Sequence, residues 1–520
     1  MKKIATALLS CALAAATLAG CAANAAQVPQ ESQEPHTAAL TATAAASVKS
    51  PKYVFLFIGD GMSYPQIQST SDYLGALKDA DYWQAQPSLD DNQGAILDGP
   101  EYLNFMNFEA AGSAVTYDSN SFAPDSASTA TSISTGHKTY SGSINVDETG
   151  TIEYETIAEQ LKAQKGGEIG VITSVNLNHA TPAAFYAHQA SRSSYYEIGL
   201  ELVESGFDYF AGGGLLKPTG SSGDQTDLYE LAQEAGYTVA KTHAEADAIG
   251  TNTEKAIIID EDLADSDAMA YELDRTDDMW ALADYVAKGI EVLDNDTGFF
   301  MMCEGGKIDW ACHANDAASS IHDTQALADA VQVAIDFAKE HADETLILVT
   351  GDHETGGLTI GFAGTDYDTY LDLLENQKIS FAKYDSDYVA SYKANKPPFG
   401  TVLADIEKLF GLKAQGEEGD KLVLTAYEME QLRAAYEKSI NGTASSQYDQ
   451  AEYVLYGTYE PLSVTITHII NNKSGISFTS YSHTGLPVAV LAEGAGSEMF
   501  NGYYDNTDIY NKLADLLNIA

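Results

Sequence analysis

The chain has 520 residues, of which 45% are hydrophobic, and this is enough to bury a large core. Its formal net charge of −49 at pH 7 excludes nucleic acid as a bulk partner, because two polyanions repel each other. An anionic substrate would have to be attracted by cations held inside a site.

Residues 1–20 have the pattern of a bacterial lipoprotein signal peptide. A basic start precedes an apolar run over 4–18, and Leu18-Ala19-Gly20-Cys21 resembles a lipobox. Cleavage would leave Cys21 lipidated on an exported protein anchored to the cell envelope, at the outer face of the cytoplasmic membrane or in the periplasm. The alternative is an N-terminal membrane helix, for which the run is slightly short. Residues 21–50 are rich in Ala, Thr, Ser, Gln and Pro, which predicts a disordered tether.

Apolar, β-rich runs recur along the chain, and each ends in a polar segment. The runs are 52–58, 169–173, 298–303 and 345–350. Helical periodicity lies between them, as in 277–293 and 317–339. Strands that alternate with helices predict an α/β fold. In such sheets the functional residues gather beyond the carboxyl ends of the strands, which is where the polar segments lie.

The stretch between His353 and His483, about 130 residues, is too long for a simple connection. Within it, Thr425 and Glu428 form a capping-box pattern, which predicts a helix that runs toward Asn441-Gly442. This stretch is therefore predicted to contain structure of its own.

Carboxylates and histidines follow the predicted strands at spacings that suit metal ions. The carboxylate of Asp60, between two glycines, could bridge two cations, although Gly-Asp-Gly alone is more often a turn. Asp309 and His313 lie four residues apart, would project from one face of a helix and could bind one ion. Asp352 and His353 end another buried strand, and ligands of this kind favour zinc. Any one of these groups alone would be uninformative.

Cys303 and Cys312 flank the candidate ligands. Their spacing is not that of a paired CxxC motif, so they are interpreted as small buried residues, with a disulfide or a metal site as the alternative. The histidines at 188, 322 and 468 are interpreted as structural.

The segment Asp125-Ser126-Ala127-Ser128-Thr129-Ala130-Thr131, which leads into Ser134-Thr135-Gly136, resembles the nucleophile segment of the alkaline phosphatases. Further blocks resemble that family in the same order along the chain: 58–62, 178–192, 304–313, 350–357 and 482–484. The resemblance covers 51–520 apart from residues 364–480, which by analogy with variable insertions in that family are interpreted as an inserted cap region near the functional site. It implies a large, mostly parallel central sheet with helices on both faces, and hydrolysis of small phosphate monoesters through a phosphoserine intermediate. Family members are commonly homodimers, so a homodimer is expected.

The resemblance also implies two zinc ions, one magnesium ion and a set of catalytic residues. The first zinc site corresponds to Asp309, His313 and His483. The second corresponds to Asp60, Asp352 and His353, and the magnesium site to Asp60, Thr181 and Glu304. Ser126 corresponds to the nucleophile, Arg192 to the phosphate clamp, and Asp125 to a neighbour that orients this arginine.

Two positions depart from one well-represented bacterial pattern, which has Asp and Lys where this chain has His179 and Trp310. Imidazole in place of carboxylate removes a negative charge from the surroundings of the magnesium ion, and indole in place of ammonium removes a cation near the phosphate. Weaker binding of magnesium and easier release of phosphate are therefore expected. The alternative is that both side chains only pack the wall of the pocket.

Two other classes of function fit the sequence less well. One is a phosphodiesterase or sulfatase of the same superfamily. Sulfatases need a C/S-x-P-x-R context, which Ser126-Ala127-Ser128 does not offer, and diesterases usually lack the residues of the third metal site. The other is a non-catalytic surface-binding lipoprotein on a decayed phosphatase fold, which should have lost at least one ligand, whereas none is missing.

Overall fold

The structure is a computed structural model and describes residues 50–79, 97–442 and 444–519. The predicted signal peptide, Cys21 and all but the last residue of the predicted tether lie outside these ranges. Within these ranges, no helix combines the length and the apolar character that crossing a membrane requires.

The strands, in chain order, are β1 (Tyr53–Gly59), β2 (Ala110–Val115), β3 (Glu168–Asn176), β4 (Tyr209–Gly213), β5 (Thr238–Ala240), β6 (Ala256–Ile259), β7 (Phe299–Gly305), β8 (Thr345–Gly351), β9 (Glu354–Thr355), β10 (Thr359–Ile360), β11 (Ile476–Ser477), β12 (His483–Thr484), β13 (Val488–Gly494) and β14 (Gly502–Asp505). Ten of these described strands form one sheet in the order β14-β2-β13-β8-β1-β7-β3-β4-β6-β5. β13 runs antiparallel to both neighbours, whereas the other pairs are parallel. The predicted mostly parallel sheet is confirmed.

The α-helices of the described chain, in order, are α1 (Tyr64–Lys78), α2 (Ser126–Thr135), α3 (Ile157–Lys165), α4 (Ala180–Ala183), α5 (Tyr195–Ser205), α6 (Leu228–Glu234), α7 (His243–Asp247), α8 (Leu282–Leu293), α9 (Lys307–His313), α10 (Ala317–Glu340), α11 (Phe381–Tyr384), α12 (Ala390–Asn395), α13 (Phe399–Phe410), α14 (Ala426–Asn441), α15 (Gln450–Tyr456), α16 (Pro461–Ser474) and α17 (Thr507–Leu517).

Strand β1 shows why the sheet is covered on both faces. Its residues are all buried, and alternate side chains enter different hydrophobic clusters. Val54, Leu56 and Ile58 pack with apolar residues of α2, α3, α5 and α17. Their neighbours on the strand, such as Phe55 and Phe57, pack with α1, α8 and α10. The predicted helices on both faces are therefore confirmed.

One predicted helix begins later than its periodicity suggested. The pattern over 277–293 predicted one continuous helix, but α8 begins at Leu282. The side chain of Asp284 accepts a hydrogen bond from the backbone N–H of Ala281 at 2.8 Å, and this cap fixes the helix start. The apolar residue Trp280 lies outside the helix and packs against Tyr285. Periodicity alone could not distinguish that contact from a helical one.

Residues 364–480 are largely helical and have a hydrophobic cluster of their own. The cluster includes Val402, Phe410 and Ile466, and it extends to Ala317 and Ile321 of α10. Helix α14 begins directly after the predicted Thr425 capping box and ends at Gly442, whose φ of 69° suits the left-handed conformation. The segment is therefore packed onto the helix that follows the candidate ligands of α9.

Candidate active site

Three adjacent strands bring the candidate carboxylates together. β1 lies between β7 and β8, and its Ile58 is in register with Glu304 on one side and Thr350 on the other. Asp60 follows β1 directly, and Asp352 follows β8. The carboxyl ends of β7, β1 and β8 therefore lie at one edge of the sheet, as expected for parallel strands.

The backbone turn after β1 requires glycine. Gly61 has a φ of 72°, and a Cβ atom there would lie 2.8 Å from Thr355 Oγ1 and 2.9 Å from Asp309 Cα. This close approach brings the Asp60 loop against α9. The candidate ligands that follow these strands are thus brought together by this close backbone contact as well as by strand order.

The first group consists of Asp309, His313 and His483, whose ligand atoms all lie within 4.8 Å of one another. His313 Nδ1 lies 2.6 Å from the carbonyl oxygen of Tyr481, and His483 Nδ1 lies 2.5 Å from that of Pro124. A carbonyl only accepts, so each Nδ1 carries the hydrogen and each Nε2 of a neutral ring carries a lone pair. The two Nε2 atoms face each other at 3.1 Å. Facing lone pairs need a proton or a metal ion between them, and with the carboxylate of Asp309 beside both rings this group fits a metal ion.

The second group consists of Asp60, Asp352 and His353, all fully buried. His353 Nε2 lies 3.3 Å from Asp60 Oδ1 and 3.4 Å from Asp352 Oδ2. Burial, and then the charge of Asp352, raises the pKa of Asp60 well above its ordinary value. Burial also raises the pKa of Asp352 to about 8. Two buried carboxylates beside a neutral imidazole are a suitable ligand set for a divalent cation.

The third group consists of Asp60, Thr181 and Glu304, which the structure also brings together. Thr181 Oγ1 donates to Asp60 Oδ2 at 3.4 Å. Glu304 accepts a hydrogen bond from Thr173 through one oxygen, while its other oxygen, Oε1, is buried with no partner among the described residues. Burial raises the pKa of Glu304 to about 7. An orphaned buried oxygen in an all-oxygen group fits magnesium.

Ser126 is the first residue of α2, and its hydroxyl lies beside the second group. Its Oγ is 3.1 Å from His353 Nε2 and 3.4 Å from Asp60 Oδ1. Asp125, the preceding residue, caps the helix by accepting from the backbone N–H of Ser128 at 3.1 Å. The N-terminus of a helix is favourable for negative charge.

Asp125 also holds Arg192. Arg192 Nη1 donates to Asp125 Oδ2 at 2.9 Å, and Nη2 lies 3.4 Å from His179 Nε2. Burial acts to raise the pKa of Asp125, but Arg192 and the backbone N–H groups of Gly142 and Ser128 together outweigh it, and the pKa is lowered. The guanidinium is thereby fixed in plane next to Ser126.

His179 and Trp310 line the same cavity, which has a volume of about 390 Å³ and also contains Ser126 and Arg192. Burial lowers the pKa of His179 to about 3, so this ring is neutral at pH 7 and accepts from Arg192. Its Nδ1 is buried without a partner among the described residues. The two aromatic rings meet edge to face, with 5.9 Å between their centroids.

Sequence reasoning missed Thr173 and Thr355. Thr355 Oγ1 donates to Asp309 Oδ1 at 2.5 Å and lies 3.2 Å from His353 Nδ1, so it orients a ligand in each of the first two groups. Thr173 is the last residue of an apolar run, where β-branched residues are usual, so nothing in the sequence distinguished it. Cys303 and Cys312 are buried and free, as predicted. His188 pairs with Glu159 and Glu201 away from these groups.

A protein-family model described as alkaline phosphatase matches residues 51–519. The chain belongs to the alkaline phosphatase family. It is 30% identical over 473 residues to alkaline phosphatase 4 of Bacillus subtilis (strain 168), which covers 89% of this chain and 88% of that protein. Members of this family are typically dependent on zinc and magnesium. The activity is that of a phosphoric monoester hydrolase, as the sequence predicted.

Two solved structures support the same conclusion. A cold-active alkaline phosphatase from a psychrophilic Shewanella species superposes with a TM-score of 0.68 at 28% identity, over 89% of this chain and 99% of that chain. The alkaline phosphatase of the Antarctic bacterium TAB5 gives a TM-score of 0.60 at 26% identity, over 91% of this chain and 99% of that chain. The similarity therefore extends over almost the whole of both solved chains.

Proposed function

We propose that Ser126 is the nucleophile of this phosphatase and forms a phosphoserine intermediate. The observation that carries the proposal is the position of its hydroxyl, 3.1 Å from His353 Nε2 and 3.4 Å from Asp60 Oδ1, in a cavity that also contains Arg192. A serine hydroxyl is a weak nucleophile at neutral pH, so it needs such surroundings.

We assign zinc to the first and second groups and magnesium to the third. The support is the chemistry of the donors: two facing imidazole nitrogens in the first group, buried carboxylates with imidazole in the second, and oxygens alone in the third. When bound, the cations would stabilise the Ser126 alkoxide and the negative charge on the leaving oxygen.

The chain's own residues then perform a double displacement. Arg192 presents its planar guanidinium to two non-bridging oxygens of the phosphoryl group, held in plane by Asp125. Ser126 Oγ loses its proton and forms a bond to phosphorus as the bond to the leaving alcohol breaks, and the alcohol takes up a proton. Water then attacks the phosphoserine, which releases inorganic phosphate and restores Ser126.

One assay separates this proposal from the other classes of function. The purified protein would be tested on p-nitrophenyl phosphate, its bis-ester and p-nitrophenyl sulfate, with and without a chelator. We expect the monoester to be hydrolysed fastest and the chelator to abolish the activity. Faster hydrolysis of the bis-ester or the sulfate would assign a different reaction, and no hydrolysis of any ester would indicate a binding protein.

If Arg192 binds the phosphoryl group, its removal should weaken the binding of both substrate and inorganic phosphate. Arg192→Ala should raise KM, lower kcat and weaken inhibition by inorganic phosphate by at least about tenfold, since a charged, bidentate contact is lost. Arg192→Lys keeps the positive charge but cannot donate two parallel hydrogen bonds to the phosphoryl group. Its phosphate inhibition should therefore lie between that of the wild-type enzyme and that of the alanine variant. Steady-state kinetics with phosphate as inhibitor would measure this, and unchanged inhibition in the alanine variant would place the clamp elsewhere.

His179 and Trp310 predict a response to magnesium. We expect the enzyme to be stimulated by added magnesium, and the double variant His179→Asp, Trp310→Lys to bind magnesium and phosphate more tightly with a lower kcat. In support, a variant of the Antarctic enzyme with a histidine replaced by glutamate has magnesium bound in its M3 site. Magnesium would be titrated into metal-stripped, zinc-reloaded protein. Identical affinities in parent and double variant would mean that the two side chains only pack the wall.

We also propose that the mature protein is exported and anchored by lipid at Cys21. The support is the lipobox-like sequence, and a relative from Bombyx mori is called a membrane-bound alkaline phosphatase. Cys21→Ala should release the protein from the membrane fraction. Retention of this variant, with the N-terminal segment intact, would support a membrane helix instead.

We also propose that the protein is a homodimer, as expected from the family. The released Cys21→Ala variant should then sediment at twice the monomer mass.

A further inference from the structure

The cavity beside Ser126 has an aromatic wall that the phosphoryl chemistry does not use. We define the aromatic wall as Tyr271, Trp310, Phe381 and Tyr459, all of which line the cavity. Phe381 and Tyr459 belong to the 364–480 segment. Ring centroids lie 5.7 Å apart between Tyr271 and Phe381, and 5.9 Å apart between Phe381 and Tyr459, both nearly edge to face. Tyr271, Phe381 and Tyr459 therefore form one continuous row of contacting rings, and Trp310 lines the same cavity.

Buried polar contacts hold the outer part of this wall in place. The backbone N–H of Phe381 donates to Asp316 Oδ2 at 2.9 Å, and that of Ser380 donates to Asp274 Oδ1 at 2.9 Å. Asp316 is fully buried and also caps α10, the long core helix. The backbone of Phe381 is thus hydrogen-bonded to the start of a core helix, which fixes the position of its ring in the cavity wall. A site fixed in this way loses little entropy when a ligand binds.

A buried lysine supports the inner part. The side chain of Lys307 is fully buried, with Nζ 3.9 Å from the ring centroid of Tyr271 and 4.6 Å from that of Trp310. It also pairs with Asp265 at 2.7 Å. Contacts of this kind between an ammonium group and two rings fix the rings' orientation.

The charge of the cavity restricts what the wall can bind. Among the described residues that line it, Arg192 is the only lysine or arginine, and we have placed it on the phosphoryl group. The lining residue Asp265 is already matched by Lys307. A leaving group with further phosphates or carboxylates would find no second lysine or arginine among these lining residues, whereas an uncharged planar ring could stack on or pack against the aromatic edges.

We propose that the aromatic wall is a leaving-group site for an uncharged planar ring, so that the enzyme prefers monoesters whose alcohol carries an aromatic ring or a nucleobase. This proposal rests on the proposed function of Ser126 and names the substrate class for it. The cavity volume of about 390 Å³ is in the range of small-molecule sites.

The test compares adenosine 5′-phosphate with ribose 5-phosphate, because both are esters of the same primary alcohol and differ in the base. In the wild-type enzyme we expect kcat/KM to be about tenfold or more higher for adenosine 5′-phosphate. Tyr459→Ala and Phe381→Leu should each lower this ratio several-fold, mainly through activity on the nucleotide. Tyr459→Phe keeps the ring and should preserve the ratio.

Tyr427→Ala is the matched control, since Tyr427 is 69% exposed on α14 and does not line the cavity. It should leave both activities unchanged. A wild-type ratio near one, or equal losses on both substrates in Tyr459→Ala and Phe381→Leu, would overturn the proposal. Failure of the wild-type enzyme to hydrolyse either ester would instead contradict the proposed function itself, so the two failures are distinguishable.

Discussion

Replacing Ser126 with alanine should lower kcat by several orders of magnitude. The hydroxyl that would attack phosphorus lies 3.1 Å from His353 Nε2, and the neighbouring hydroxyl of Thr129 is already bonded to the backbone of Asp125 and to Asp352. The hydroxyl of Ser128 is likewise bonded, to Asp118 and Asp125, so neither of these two neighbours is placed to replace Ser126. Some activity should remain, because Arg192 can still bind the ester while water attacks it.

Ser132→Ala is the matched control for this variant. Ser132 lies on the same helix and is equally buried, but its hydroxyl donates to the backbone carbonyl of Ser128 at 3.0 Å. It should retain the activity of the wild-type enzyme. Steady-state hydrolysis of p-nitrophenyl phosphate measures both. Similar kcat values for the Ser126 variant and the wild-type enzyme would remove Ser126 from the mechanism.

Removal of the metal ions should abolish activity and make stability strongly dependent on pH. The three groups place the carboxylates of Asp60, Glu304, Asp309 and Asp352 close together in the interior. Arg192 is the one described arginine or lysine in the adjoining cavity, so the stripped protein lacks the charge to balance them. Bound cations would supply the missing positive charge, and chelation should therefore lower the melting temperature.

The sign of the pH effect follows from the pKa shifts. Burial raises the pKa of Glu304 to about 7 and that of Asp352 to about 8. Burial acts to lower the pKa of His313, but Asp309 and the hydrogen bond to the Tyr481 carbonyl together outweigh it and raise the pKa to about 8. A group whose pKa is raised by folding contributes stability at low pH, and that stability is lost as the pH rises through the folded value. Metal-stripped protein should therefore melt at a lower temperature at pH 9 than at pH 7.

Between pH 7 and pH 9, the other two candidate histidine ligands do not oppose this effect. Burial lowers the pKa of His353 and His483, but these rings are neutral in the folded and unfolded states above pH 7. Thermal melts of stripped and metal-reloaded protein at pH 7 and pH 9 would measure the effect. We expect a smaller change in the reloaded protein, and equal changes in both would contradict the assignment of cations to these groups.

The sequence was sufficient to predict the strands and their polar ends, because buried parallel strands have continuous apolar runs. It could not predict that β1 lies between β7 and β8, since strand order depends on long-range packing. The candidate ligands were identified by resemblance, whereas their convergence is visible only in the structure. Residues 364–480 were expected near the functional site, but no local pattern indicates that Phe381 and Tyr459 line the cavity.

The position of Ser126 is the central claim, and trapping the intermediate tests it most directly. The metal-loaded enzyme would be mixed with labelled phosphate monoester, quenched in acid during turnover, digested and analysed by mass spectrometry. The proposed mechanism predicts labelled phosphate on the peptide that contains Ser126, attached to the serine oxygen. Labelled phosphate on a different residue, or full turnover with no phosphorylated enzyme at any quench time, would contradict it.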